Sequence, residues 1–535
     1  MVKEPFVSNR AWRSVQGKHF FVNGEVIFPL DTLNAFDRSY RTTFGPFFAS
    51  KASVYAETDH NVRIGLWRML GCRIPKRNKL PRSELFRNEL RLQRNQRKYV
   101  MERRPFIARL NRLYARHFDN YMDMFLEAKE HHADPHPKRL LRIEGMKNAE
   151  MCGNHLKAWS HRKVRAAFKK ELVLPGKKGR MIFDFGVERS LQGFRSAKML
   201  KEAQSEDVYH DGGIFRFMKK PVHDLMKVAF HQFIHLPGLR FLYLYFSDDA
   251  ALAIRTPSGI QMFNIDISSC DRSHTPSLFN AYRDLFPPQM QLEIEALIAQ
   301  NRTPVCVRSK SIKKRKCTIQ PNRPFLYSGS PITTSINNLA SLLLGLSYVE
   351  VDTNEDIESQ IHDAADRAGY IVTVERATRM EDVQFLKCSP HFDTEGEIQP
   401  VLNLGVLLRA SGSCKGDLPG RGPIEKRARI FQHALVHGLY PCLTNGIIRS
   451  MKLATRVTTL EAMSQSDKRF YNDRYLKLQD PRAITVSNHS LLARYRLTAP
   501  ETVDLIDTLS RATLFDHITS SAVDKVLNRD YGYPL

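Results

Sequence analysis

From Leu242 to Phe246 every residue is apolar or aromatic; Ser247-Asp248-Asp249 interrupts the run, and Ala250 to Ile254 resumes it. Short apolar runs bounded by polar turn residues are the pattern of buried strands. The stretch is therefore predicted to be a hairpin with acids at its tip. The next residues, Arg255-Thr256-Pro257-Ser258-Gly259, contain the Pro and Gly of a chain reversal. Beyond them Met262, Asn264, Asp266 and Ser268 alternate with Phe263, Ile265 and Ile267. A period of two predicts a third strand, with the apolar residues on one face and Asp266 on the other. Such folding carries Asp266 towards Asp248. Two carboxylates about 4 Å apart repel by roughly 4 kcal/mol at an effective dielectric near 20. The pair then shares a proton or binds a hard divalent cation, most simply Mg2+.

Helical periodicity takes over further along. Ser328-Gly329-Ser330-Pro331 precedes a stripe of Ile332, Ile336, Leu339 and Leu343 at helical spacing. Ser330 is the expected N-cap and Pro331 the expected first helical residue. Thr333 and Asn337, four apart, present polar groups from a neighbouring stripe. Gly329 allows a ligand or a backbone to approach closely. A second helix is expected from a Thr353 cap to Gly369, with Glu355 and Asp356 in its first turn. Tyr370 to Val374 reads as a strand, and Val383 to Cys388 as part of a further hairpin. From about residue 400 the pattern is mostly helical, as in 423–440 and 501–515. Ahead of the acidic hairpin, residues 81–130 are helical in composition and very basic. Lys169, Lys170, Lys177, Lys178 and Arg180 surround a Pro-Gly turn. Cations converging from two strands suit a compact triphosphate better than a duplex.

Composition narrows the function classes. Lys and Arg number 81 against 56 Asp and Glu, giving a net charge of +25 and a pI near 9.7. An excess of this size points to a polyanionic partner, nucleic acid before acidic membrane. With 535 residues and 42% hydrophobic content, the chain is a folded protein of several subdomains rather than a disordered basic tail. Eight cysteines without a C-x-x-C pair fit free thiols in a reducing compartment and argue against a zinc site. The opening residues carry no signal-peptide pattern, and no apolar run reaches the ~18 residues of a membrane span.

Three of these stretches together resemble the palm motifs of viral RNA-dependent RNA polymerases. Asp266 and Asp271, spaced D-x4-D, look like motif A. Ser328, Gly329, Thr333 and Asn337, spaced S-G-x3-T-x3-N, match motif B in full. Ser247-Asp248-Asp249 looks like motif C, with Ser in place of the commoner Gly. The basic stretch from Lys169 to Arg180 is similar to the fingers motif F, 354–376 to motif D, and Phe385-Leu386-Lys387 to motif E. Most of the family orders its palm motifs A, B, C. Here the acidic hairpin comes first, as in the permuted polymerases of birnaviruses and permutotetraviruses. The permutation is physically consistent. The outgoing strand of the hairpin lies antiparallel to the motif A strand, so a short turn joins them. The helices of motifs B and D run in opposite directions, so the short link 347–353 joins those as well.

The resemblance implies an α+β right-hand polymerase fold: fingers, a palm of antiparallel sheet on helices, a helical thumb, and an encircling N-terminal extension. Its boundaries fall at 1–80 for the extension, 81–235 and 281–325 for the fingers, 236–280 and 326–395 for the palm, and 396–535 for the thumb. It implies RNA-templated RNA synthesis from nucleoside triphosphates for viral genome replication and transcription, with two Mg2+ or Mn2+ ions. Asp248, Asp249 and Asp266 would be catalytic metal ligands, Asp249 as a secondary ligand or a neighbour of the primer end. Asp271, Ser328, Gly329, Thr333 and Asn337 would recognise the ribose, whose 2′-hydroxyl separates RNA precursors from DNA precursors. Lys169, Lys170, Lys178 and Arg180 would hold the triphosphate, and Phe385 and Lys387 would grip the primer. The implied partners are RNA template and product, nucleoside triphosphates, and other viral replication or capsid proteins. The implied setting is a replication complex or virion in the host cytoplasm. Motif D often supplies a Lys that protonates pyrophosphate; 354–376 holds none. Arg376 and His362 are the nearest stand-ins, and an Arg is a poor proton donor. The alternative from another class is a non-catalytic basic scaffold for RNA packaging or replication, with a degenerate palm.

Overall fold

The computed structural model describes residues 180–185, 193–218, 223–308, 316–321, 324–411, 487–511 and 520–533, with short segments elsewhere. Nearly all of 1–130, together with Lys169, Lys170, Lys177, Lys178 and the expected helix at 423–440, lies outside the described residues. Strand β1 (Met181–Asp184) closes one edge of a five-stranded sheet and pairs antiparallel with Val164–Phe168. The basic segment 169–180 therefore joins two paired strands.

A second sheet of six strands carries the acidic hairpin. β2 (Val208–His210) and β3 (Gly213–Phe217) open it, and helix α1 (His223–His235) leads back to its middle. β4 (Phe241–Phe246), β5 (Asp249–Thr256) and β6 (Gly259–Ile267) follow as a meander. Helices α2 (Cys270–Ser273), α3 (Pro276–Asp284), α4 (Pro288–Gln300), α5 (Thr333–Tyr348) and α6 (Ile357–Ala368) come next. β7 (Val372–Ala377) then completes the order β7-β6-β5-β4-β3-β2. Every neighbouring pair is antiparallel except β3 and β4, which α1 connects as a parallel crossover. Residues 208–217, within the span expected to be fingers, are thus hydrogen-bonded into this sheet.

The sheet's two faces account for the sequence pattern. Phe241, Tyr243 and Tyr245 face a core built with α3, α4, α5 and α6, whereas Leu242 and Leu244 face one built with α1 and the C-terminal elements. Those elements are β8 (Cys388–Phe392), β9 (Ile398–Leu402), α7 (Leu404–Ser411), α8 (Asn488–Tyr495), α9 (Ala499–Arg511) and α10 (Ser521–Tyr531). Strands covered on both faces read as unbroken apolar runs, as β4 and β5 do. Fully burying each large apolar side chain stabilises the fold by about 1.5–3 kcal/mol. β6 is covered on one face near its end, so Phe263, Ile265 and Ile267 are buried while Asp266 is exposed. That alternation matches the expected period of two.

Two helix starts differ from the sequence expectation. α5 begins at Thr333, and Ser330 is not its cap. Ser330 Oγ instead accepts a hydrogen bond from the buried Asn301 Nδ2 at 3.1 Å. α6 begins at Ile357 and is capped by Asp356, not Thr353, because the Asp356 carboxylate accepts from Ser359 N–H at 3.3 Å. Gly369 ends it with φ 85, as expected. α5 is enclosed from Ser335 to Tyr348, so each of its polar side chains needs a partner. Among the described residues no helix is long and apolar enough to cross a membrane.

Candidate active site

Phe246 pairs with Asp249, which leaves Ser247 and Asp248 as a two-residue turn between β4 and β5. Ser247 has φ 56, a left-handed value that such turns require and that glycine adopts most easily. Helix α5 holds the serine there. Ser247 N–H donates to Asn338 Oδ1 at 2.6 Å, and its hydroxyl accepts from Asn337 Nδ2 at 3.4 Å. The same hydroxyl is hydrogen-bonded to the Asp248 carboxylate. Serine in place of glycine thus ties the turn to both the helix and the acid.

The register of β5 against β6 sets Asp249 opposite Asp266, and Ile267 N–H donates to the Asp248 carbonyl at 3.2 Å. All three acids therefore gather at one end of the sheet. Asp248 and Asp266 open onto solvent, yet enough protein surrounds them to weaken carboxylate hydration. Burial pushes Asp249 up to about 7, with repulsion from Asp266 adding and the Leu386 N–H opposing. Burial and then repulsion by Asp248 push Asp266 up to about 6, against Lys387. Asp248 is raised by burial and by Asp271, and is held down by the Ser247 hydroxyl and Arg180. Near neutral pH the three carboxyls ionise together only at a cost, which a bound cation removes. Arg180 is thereby placed within electrostatic reach of the hairpin tip. Lys169, Lys170 and Lys178 lie outside the described residues.

Asp249 has a second task. Its Oδ2 accepts from Leu386 N–H at 2.8 Å. Leu386 and Lys387 have φ 51 and 64, and Phe385 and Cys388 exchange two backbone hydrogen bonds of 2.9 Å. Positive φ at both central residues makes this a tight hairpin turn, so the expected hairpin at 383–388 is a two-residue reversal leading into β8. Lys387 is exposed, with its ammonium 5.0 Å from the centre of the Tyr531 ring. Phe385 is fully buried in the core shared with α1, so its side chain supports the turn from beneath.

Asp271, in α2 just beyond β6, meets two residues from much later in the chain. Ser328 Oγ donates to Asp271 Oδ2, and Asn337 Nδ2 donates to Asp271 Oδ1 at 2.8 Å. Because Asn337 also reaches Ser247, this polar cluster is continuous with the acidic hairpin. The Thr333 hydroxyl donates to the Tyr327 carbonyl at 3.2 Å and braces the loop before α5. Gly329 shapes the same loop. Its φ is 106, and an added Cβ would lie 2.5 Å from the Phe183 carbonyl oxygen on β1. Phe183 N–H in turn donates to the Ser328 carbonyl at 2.9 Å. What Gly329 admits is the backbone of β1. Gly329→Ala is therefore expected to destabilise the protein by about 1–3 kcal/mol through strain and overlap; an unchanged urea midpoint would contradict this.

Sequence reasoning missed Asn338, His274, Asn264 and Asn301. Asn264 accepts from Gln384 N–H and donates to the Asp382 carbonyl, both at 2.8 Å, which pins the 382–384 segment to β6. His274 Nε2 lies 2.7 Å from Asn337 Oδ1, and its Nδ1 lies 2.9 Å from the Tyr370 hydroxyl. Their available signal was polar side chains on strands and helices otherwise destined for burial, of which Asn338 inside an apolar helix is the clearest.

Among the described residues no group of three or more His, Cys, Asp or Glu side chains is arranged to hold a metal ion. The donor chemistry still suits a hard cation. Mg2+ usually takes one or two carboxylates and completes its octahedron with water and substrate phosphate. Asp248 and Asp266 supply such a pair, whereas one oxygen of Asp249 is committed to Leu386.

No family model matches the chain, and no curated protein matches it. Among solved structures it is similar to the birnavirus VP1–VP3 complex, at 13% identity and a TM-score of 0.42, covering 71% of this chain and 60% of that one. It is likewise similar to the RNA polymerase VP1 from Infectious Pancreatic Necrosis Virus, at 12% identity and a TM-score of 0.41, covering 71% and 59%. The chain thus spans about 60% of the length of these structures.

Proposed function

We propose that the chain is an RNA-templated RNA polymerase that transfers nucleotides from ribonucleoside triphosphates to an RNA 3′-hydroxyl. One observation carries this reading. The Asp271–Ser328–Asn337 cluster is hydrogen-bonded through Ser247 to an acidic hairpin tip, although the tip, Asp271 and the 328–337 stretch are three separate segments. A polar group that recognises ribose beside carboxylates suited to a divalent cation is what this transfer requires. Asp248 and Asp266 would hold Mg2+ or Mn2+. The bound ions would supply Lewis-acid activation of the primer hydroxyl and charge neutralisation at the departing pyrophosphate.

The chain's own residues do the rest. Asp271 fixes the Ser328 hydroxyl and the Asn337 amide so that their remaining hydrogen-bonding capacity can meet a 2′-hydroxyl. Arg180, with the lysines at 169, 170 and 178, would clamp the triphosphate. Lys387, presented on its tight turn by Asp249, would support the primer backbone. The excess of cations would track template phosphates and make binding salt-dependent. Other viral replication or capsid proteins are the partners this reading entails, and a replication complex or virion in the host cytoplasm is its setting.

The test is primer extension on an RNA template with Mg2+ or Mn2+. Templated addition of ribonucleotides by the purified chain supports the proposal. Tight RNA binding with no extension supports a packaging or replication scaffold instead.

Proton linkage gives a second test. Asp249 and Asp266 have folded pKa values of about 7 and about 6, above the unfolded value near 3.9. Their ionisation therefore costs folding stability. That cost is absent below about pH 4, grows as pH rises through the folded values, and persists above them. A divalent cation relieves it but competes with protons at low pH. Saturating Mg2+ should raise the unfolding temperature more at pH 8 than at pH 5.5. Equal shifts at the two pH values would count against cation binding at these acids.

A further inference from the structure

We infer that His274 is a positioning residue for ribose selection, a role that rests on the polymerase reading and extends it beyond the Asp271–Ser328–Asn337 cluster. The hydrogen-bond directions around Asn337 fix the argument. Its Nδ2 hydrogens point to Asp271 Oδ1 at 2.8 Å and Ser247 Oγ at 3.4 Å. Its Oδ1 must then accept, and the group 2.7 Å away is His274 Nε2. Nε2 therefore carries the proton, since only an N–H can donate to a carbonyl. In the neutral imidazole the other ring nitrogen, Nδ1, then has a lone pair, and the Tyr370 hydroxyl lies 2.9 Å from it as donor. The Cys270 thiol is 3.9 Å from Nε2, well beyond the Asn337 contact.

Donors and acceptors thus alternate in one direction, from Tyr370 through His274 and Asn337 to the Asp271 carboxylate. The anchors come from different parts of the fold: Tyr370 between α6 and β7, His274 just after α2, and Asn337 on α5. An amide has two orientations that differ little in shape. The Asp271 carboxylate selects one from its side, and the His274 N–H selects the same one from the other. Asn337 is only 3% exposed, so without His274 its carbonyl becomes a buried acceptor with no partner, which such groups resist. The side chain would then turn to find a donor and withdraw its N–H from Asp271, loosening the carboxylate that also orients the Ser328 hydroxyl towards the sugar. A nucleotide with a 2′-hydroxyl would feel that change, and a 2′-deoxynucleotide would not.

The experiment measures single-nucleotide addition on an RNA template, with matched ribo- and 2′-deoxyribonucleoside triphosphates, for wild type, His274→Ala, His274→Gln and Tyr370→Phe. A lost neutral hydrogen bond corresponds to about a fivefold to tenfold effect. His274→Ala should lower kcat/KM for the ribonucleotide by about that factor, mainly through KM, and leave the deoxyribonucleotide unchanged. His274→Gln, whose amide N–H can take the place of Nε2–H, should recover most of the selectivity. Tyr370→Phe, the mildest change, should lose less than His274→Ala. Equal falls for both nucleotides in His274→Ala overturn the assignment, as does His274→Gln discriminating no better than His274→Ala. If His274→Ala fails to fold, the Gln and Phe variants decide it: selectivity near wild type in the first with a partial loss in the second supports the role, and no loss in Tyr370→Phe overturns it. An inert wild type overturns the polymerase reading and this role together; an active wild type with an unmoved ratio overturns this role alone.

Discussion

Asp248→Ala and Asp266→Ala should each reduce primer extension by at least about a thousandfold while leaving RNA affinity close to wild type. The magnitude follows from what the acids do. A cation clamp on a transferring phosphoryl group is worth several kcal/mol of transition-state stabilisation, and about 4 kcal/mol is roughly a thousandfold in rate. RNA affinity comes instead from phosphate contacts made by a chain with a net charge of +25. Removing one acid makes the surface slightly more basic, so binding should not weaken. Both acids also have raised pKa values through burial and repulsion. Either substitution relieves that repulsion, so the variants should be no less stable than wild type. Loss of extension with intact folding and binding is therefore the signature. A variant that keeps even a tenth of wild-type extension would remove that acid from the catalytic set.

The largest effect on stability should come from Asp530→Ala. Arg494 on α8 and Asp530 on α10 are both fully buried, with Arg494 Nη2 2.6 Å from Asp530 Oδ1. Asp530 Oδ2 also accepts from the Tyr495 hydroxyl at 2.9 Å and Gly405 N–H at 2.7 Å. Arg494 Nη1 donates to the Glu381 carbonyl at 2.8 Å. The pair thus joins α7, α8, α10 and the segment before β8. Deleting the acid leaves a buried guanidinium without its counter-charge, a change that costs about 3–5 kcal/mol. Removing both charges with residues of similar volume avoids that penalty. Arg494→Met with Asp530→Leu should therefore be more stable than Asp530→Ala alone, as read from denaturant midpoints. The reverse order would show that the pair's hydrogen bonds, rather than its uncompensated charge, dominate.

The sheet was legible because its signals are local. A turn of polar residues between two apolar runs, and an alternation after it, need only chain stiffness and burial to become β4, β5 and β6. Asp271, Ser328 and Asn337 were legible through motif spacing alone, since no periodicity links positions so far apart. The misplaced caps show where local rules yield to tertiary partners. Ser330 had the chemistry of an N-cap, but Asn301, in the loop after α4, engages its hydroxyl instead. Arg494 was invisible as a structural charge, because an arginine on a C-terminal helix reads as a solvated face until its partner in α10 is known. His274 and Asn338 were hidden for the opposite reason: they neighbour the motif residues, but their value depends on a helix folded over the hairpin.

The central claim is spatial, that the Asp248 and Asp266 carboxylates share a divalent cation in front of residues that recognise ribose. Its most direct test is anomalous diffraction from crystals holding Mn2+ and a non-hydrolysable ribonucleoside triphosphate. The account predicts a manganese peak between those two carboxylates, with the sugar's 2′-hydroxyl within hydrogen-bonding distance of Asp271, Ser328 or Asn337. A nucleotide bound elsewhere, or manganese bound away from both acids, would contradict it.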